Sequence, residues 1–115
     1  MSLIAKTKRD RIRELNDALR TTIDPKLGKI VLTSGVESLL SDVRAMAIRK
    51  TAAFDAFTPD NDPHKEHDFG SFEIAGQHFF FKIDYYDAKL EFGSEDPADP
   101  EKTTRVLTLM LAEEY

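Results

Sequence analysis

Residues 71–84 constrain the fold more than any other part of the chain. Phe72 and Ile74 alternate with Ser71 and Glu73, Ala75-Gly76 supplies a turn, and Phe79, Phe81 and Ile83 then alternate with Phe80, Lys82 and Asp84. A period of two sends successive side chains to opposite faces, so this segment reads as a β-hairpin with one strongly apolar face. Three adjacent Phe would also suit a platform for stacking bases. No Lys/Arg cluster flanks them, so they read as core, and the rest of the chain must cover them.

Two helical segments can do so. In residues 3–22, Ile4, Ile12, Leu15 and Leu19 make an apolar stripe that Ala18 widens, and Pro25 and Gly28 close the region. Residues 29–33, Lys29-Ile30-Val31-Leu32-Thr33, are short and β-branched between turn residues, which predicts a strand. Ser34 and Glu37 have the spacing of a capping box that starts a second helix, expected to end near 51–54. Val36, Leu39, Leu40, Val43 and Ala47 share one face of it, with Met46 beside them. The helix start at Thr33-Ser34-Gly35 lacks the glycine-rich loop of a nucleotide site and reads as a plain cap.

Residues 56–67 hold two Pro and the run Asp60-Asn61-Asp62 without periodicity, a loop. A second acidic loop spans about 87–102, with Gly93 and two Asp-Pro pairs. In residues 103–113 the Thr-rich start and two apolar faces favour a central strand, preceded by a short helical turn at Pro100. The predicted fold class is therefore α+β: a single domain over residues 1–115 in the order α-β-α-β-β-β. It has an about four-stranded, mainly antiparallel sheet with two helices packed on one face. Phe72, Ile74, Phe79, Phe81, Ile83, Leu107, Leu109 and Leu111 should share a core with Leu15, Leu19, Leu40 and Val43.

Composition removes several function classes. With no Cys among 115 residues, a disulfide scaffold, a thiolate zinc site and a cysteine nucleophile are excluded. No apolar run approaches the roughly 18 residues that span a bilayer, and no signal peptide is expected. A cytoplasmic location with no membrane partner is expected. Residues 1–53 hold 11 Lys/Arg against 6 Asp/Glu, a net of +5, whereas residues 54–115 hold 5 against 15, a net of -10. The basic excess is small and interleaved with Asp10, Glu14 and Asp17, so no nucleic-acid partner is expected. The acidic half matters more, because its carboxylates gather in two loops.

Several polar motifs then resemble one family. They are residues 57–63 (Phe57-Thr58-Pro59-Asp60-Asn61-Asp62-Pro63), His67-Asp68-Phe69-Gly70, and Lys82-Ile83-Asp84-Tyr85-Tyr86-Asp87. Gly93-Ser94 before Asp96-Pro97 and Asp99-Pro100, and the ending from Thr104-Arg105-Val106-Leu107-Thr108 to Tyr115, belong to the same pattern. The chain is similar to domain of unknown function 3768, a family of small bacterial proteins. The likeness runs from about Ile12 to the C-terminus and is closer in the second half. It implies an alphaproteobacterial source and frequent carriage on plasmids and other mobile elements. It carries no catalytic or binding residue across.

From the residues themselves, the strongest candidate site is the first acidic loop: Asp60, Asn61, Asp62, His64, Glu66, His67 and Asp68. Oxygen ligands suit Ca²⁺, Mg²⁺ or Mn²⁺, and the two His would add nitrogens for a transition metal. Yet Lys65 stands where a calcium loop needs Gly, and Glu66-His67 does not fit a helical two-His zinc motif. The same Asp and Asn side chains equally serve local bonds to backbone around Pro59 and Pro63. The second candidate is Asp84-Tyr85-Tyr86-Asp87, where Asp84 or Asp87 could complete a site with Asp62, His67 or Asp68. The plainer role for Asp84 and Asp87 is to finish the strand.

No catalytic residue is assigned, because the three His all lie within 64–78 and no Ser occupies a nucleophile turn. The reading that follows is a non-catalytic binding module. Its acidic face, with Tyr85 and Tyr86 exposed, would take a protein partner or small ligand without a cofactor. A metal-dependent, phosphodiesterase-like hydrolase using the Asp/His loop, with a divalent cation as cofactor, is the alternative.

Overall fold

The first helix starts where two side chains cap each other. Thr7 Oγ1 accepts the Asp10 N–H at 3.1 Å, and Asp10 Oδ2 accepts the Thr7 N–H at 3.3 Å. Helix α1 (Lys8–Thr22) follows from this capping box. The computed structural model describes residues 6–115, so the expected helical start at 3–5, with Ile4, lies outside the described residues. Ile23 ends α1 in the left-handed region at φ 50°, returning its N–H to the Leu19 carbonyl. The buried positions of α1 are Ile12, Asn16, Leu19 and Arg20, with Leu15 and Ala18 only half-buried. The expected apolar stripe is thus rotated, and two polar side chains enter the interior.

Strand β1 (Lys29–Leu32) is followed by two helices, not the single one expected: α2 (Ser34–Glu37) and α3 (Ser41–Ala53). The break has local causes. Ser38 Oγ bonds back to the Ser34 carbonyl at 2.7 Å, and Leu40 turns extended to become the residue that caps α3. Arg44 then donates to the freed carbonyls of Glu37 and Leu39. As a result Leu40, expected in the core, is 75% exposed. The capping box expected from Ser34 and Glu37 is also corrected. Thr33 is the cap residue, and the carboxylate there comes from the far end of the chain. Glu114 accepts from the Thr33 hydroxyl at 2.6 Å, from the Gly35 N–H at 3.0 Å and from the Leu111 N–H at 2.8 Å.

The hairpin forms as its alternation demands. Strands β2 (Phe69–Ile74) and β3 (Gln77–Tyr86) meet at Ala75 and Gly76, both at positive φ, the turn whose twist matches antiparallel strands. Strand β4 (Thr104–Leu111) pairs antiparallel with β3 and parallel with β1, giving a four-stranded mixed sheet in the order β1-β4-β3-β2. The chain is an α+β fold, as expected. The helical turn expected at Pro100 is a simple turn, with the Lys102 N–H on the Asp99 carbonyl. A 3-10 turn, Ala112–Glu114, closes the chain.

Register places Phe79 opposite Leu111, Phe81 opposite Leu109 and Ile83 opposite Leu107. These side chains form one cluster with Leu19 of α1, Val36 of α2 and Ala47 of α3, and Phe72 and Val43 pack at its margin. Gly70 sits beneath the Phe81 ring, where a Cβ would collide with it. On the opposite face Tyr115 folds back edge-on to Phe80, with centroids 5.5 Å apart. No helix among the described residues is long and apolar enough to cross a membrane.

Candidate functional site

The 56–68 loop is tied down mainly by its own Asp and Asn side chains. Asn61 Oδ1 accepts the Thr58 N–H at 2.9 Å, and its amide donates to the Ala56 carbonyl at 3.1 Å. Asp62 is 5% exposed, and its Oδ1 accepts the N–H groups of Glu66 and His67 at 3.0 and 3.1 Å. These bonds hold Lys65 and His67 at positive φ, a costly backbone for non-glycine residues. Asp60 and His64 are exposed on the outside of the loop.

His67 lies at the centre of what the loop builds. Its ring stacks on Phe57, with centroids 3.8 Å apart and planes 4° from parallel. Nδ1 meets Asp17 Oδ1 of α1 at 2.9 Å, and Nε2 faces Asp62 Oδ2 at 3.7 Å. A cavity of about 280 Å³ opens on this stack, walled by Arg13, Pro59, Asp62, Pro63 and Lys65. Among the described residues no three His, Asp or Glu side chains converge on a common metal position.

Strand alternation decides the second candidate segment. Asp84 and Tyr85 are neighbours in β3, so they point to opposite faces. Asp84 pairs with Lys82 at 2.9 Å on the face away from the core. Tyr85 turns inward, contrary to its expected exposure. Its hydroxyl donates to Glu66 Oε1 and accepts from the Asn16 amide, each at 2.7 Å. Burial, and then the bond to Glu66, push the Tyr85 pKa well above the ordinary phenol value. Asp68 is half-buried, and burial followed by the nearby Glu66 charge raises its carboxyl above the usual range. The Asp68 carbonyl accepts the Ile83 N–H at 2.8 Å, so the first loop does meet β3. It does so through backbone and Tyr85; Asp84 takes no part.

Asn16, Asp17, Glu66 and Arg105 complete this polar region, and sequence reasoning missed all but Glu66. Arg105 is 3% exposed; its Nε donates to Asn16 Oδ1 at 2.8 Å, and its guanidinium lies 5.2 Å from the Tyr85 ring centroid. A signal was present: Asn16 and Arg20 fall one helical turn apart within an otherwise apolar stripe. Arg20 donates to the carbonyls of Thr51, Ala52 and Phe54, closing the end of α3.

Asp87 belongs to the second loop. Its Oδ1 accepts the N–H groups of Lys89 and Glu91, its own N–H bonds the Phe92 carbonyl at 2.7 Å, and Ser94 N–H returns to the Tyr85 carbonyl. This frame leaves Leu90 43% and Phe92 72% exposed, with Tyr86 at 37% in the adjoining strand end. Comparison with curated proteins and with solved structures gives no match. The model of the family described as Protein of unknown function (DUF3768) matches residues 32–114, from the end of β1 through the closing turn, and the chain belongs to that family.

Proposed function

We propose that the protein is a non-catalytic binding module that holds a protein partner on its 87–94 loop. One observation carries this reading: Phe92, 72% exposed, is displayed by a loop whose backbone is bonded internally. A large aromatic side chain on a preordered frame gains burial on binding without the entropy cost of ordering the loop. Glu91 is exposed beside Phe92, so the matching surface is an apolar pocket with a Lys or Arg at its rim. The setting expected for that partner, on the family resemblance, is a bacterial cytoplasm carrying a plasmid or other mobile element. The first loop supports a binding role better than hydrolysis, because Asn61 and Asp62 are already bonded to backbone.

A photo-crosslinking amino acid placed at Phe92, with one at Arg49 of α3 as control, tests the reading in cells. A discrete adduct from position 92, absent from position 49 and weakened by Glu91→Lys, is the expected result. No adduct, or the same adducts from both positions, overturns it. Hydrolysis of a phosphodiester with Mn²⁺ or Zn²⁺, lost in Asp62→Asn, would favour the hydrolase instead.

A further inference from the structure

The core cluster takes one alternating set of side chains from each strand, the set that meets α1, α2 and α3. The other set, with Val31 of β1, Val106 of β4, Phe80 of β3 and Phe69 of β2, joins no part of that cluster. Val31 is 40% exposed, and Phe69, Phe80 and Val106 are only half-buried. Tyr115, itself exposed, stands edge-on to Phe69 and Phe80. An apolar sheet face gains by being covered, and parallel pairs such as β1 and β4 occur mainly where both faces are.

Charge on this open face differs from that of the chain. The strands' Lys, Arg, Asp and Glu side chains on it are Lys29, Lys82, Glu73 and Asp84, which sum to zero, whereas the whole chain carries -5. Register sets two of them in one row: Lys29, Val106 and Asp84 are paired across β1, β4 and β3. The lysine and the aspartate therefore flank Val106 at equal spacing, about 4.8 Å to either side. Among the described residues Lys29 forms no ion pair, and Asp84 pairs with Lys82 alone.

We propose that two copies of the chain pack these faces together about a two-fold axis running along β4. That axis sets Val106 against Val106 and carries β1 of one copy over β3 of the other, row for row. Lys29 of each copy then stands over Asp84 of the other, one complementary pair on either side of the axis. Facing sheets lie about 10 Å apart, a gap that a lysine and an aspartate side chain span together. Strand β1 ends at Leu32, level with Phe81 and one row short of Phe80, which leaves room beside it for Tyr115. Overlap of β1, β4 and β3, at about 16 Å² of sheet per residue with the Tyr115 ring added, covers roughly 450 Å² per copy. About 900 Å² in the pair is the low end for specific association, so the dimer is a reversible one. No residue of the 87–94 loop enters this contact, so it stands or falls apart from the docking of a protein partner there.

Sedimentation equilibrium of the full chain, from micromolar to millimolar concentration, should show reversible passage from one chain to two. Lys29→Glu and Asp84→Lys, both at solvent-accessible positions, should each weaken association at least about tenfold, because each sets two like-charge pairs across the interface. An equimolar mixture of the two variants should recover it, since the mixed pair has opposite charges at both places; recovery also shows that both variants fold. Lys50→Glu on α3 should change nothing. Single chains at every concentration, association untouched by both variants, equal weakening by Lys50→Glu, or a mixture no better than either variant overturns the pairing. So does a photo-crosslinking amino acid at Val31 that joins the chain in cells only to a different protein, which would then be the occupant of this face.

Discussion

The Asn16 amide donates to the Tyr85 hydroxyl at 2.7 Å, while the Asn16 amide oxygen accepts from Arg105 Nε at 2.8 Å. One fully buried side chain of α1 therefore joins β3 to β4, and its second amide bond reaches the Glu66 carbonyl of the first loop. Replacing it leaves the buried Arg105 Nε and the half-buried Glu66 carbonyl without these partners. Asn16→Ala should cost about 2–4 kcal/mol, measured by urea unfolding. A cost below about 1 kcal/mol would mean that water replaces these bonds.

The Phe81 ring is fully buried and lies 5.2 Å from Phe54, with Gly70 directly beneath it. Phe81→Ala should destabilise by about 3–5 kcal/mol. Gly70→Ala should also destabilise, by about 1–3 kcal/mol, because the added methyl displaces the ring. If Phe81 is the obstacle, Gly70→Ala should cost less in a Phe81→Leu background, which a double-mutant cycle reads directly.

Asp62 accepts two backbone N–H groups from within its loop. Asp62→Ala should therefore lower stability by about 1–3 kcal/mol in metal-free buffer. Mg²⁺, Mn²⁺, Ca²⁺ and Zn²⁺ should leave the wild-type Tm unchanged. A rise in Tm with one of these ions, absent in the variant, would restore the metal reading.

Two carboxylates should respond to pH with opposite sign. The Glu114 carboxyl is held below its ordinary 4.5, first by the Thr33 hydroxyl and then by the Leu111 and Gly35 N–H groups. Its contribution is present above pH 4.5 and is lost as pH falls through the lowered folded value. The deficit of Glu114→Ala should thus shrink on acidification, and Gly35 amide exchange should quicken in the variant at neutral pH.

The Asp68 carboxyl is raised above its ordinary 3.8 by burial and by Glu66, so its charged form opposes folding. That penalty is absent below 3.8, grows as pH rises to the folded value, and is complete at neutrality. Asp68→Asn should raise Tm at pH 7, with the gain fading as pH falls through that window. A Tm lowered at pH 7 would show that the Asp68 charge stabilises the fold.

Local pattern and tertiary contact divided the information in this chain. The hairpin, its Ala75-Gly76 turn and the four strands were legible, because alternation and β-branching act over a few adjacent residues. The loops were legible as loops, and their Asp and Asn side chains as turn-formers. Only the tertiary structure decided the break between α2 and α3, the Glu114 cap reaching Thr33, and the inward turn of Asn16, Arg20 and Arg105. The candidate loop site divides the same way. Asp62 and His67 come together because they lie in one turn, but the Asp17 and Asn16 that hold that turn arrive from α1. A polar side chain is buried when distant backbone carbonyls, hydroxyls and rings replace its water, and no window along the sequence contains those partners.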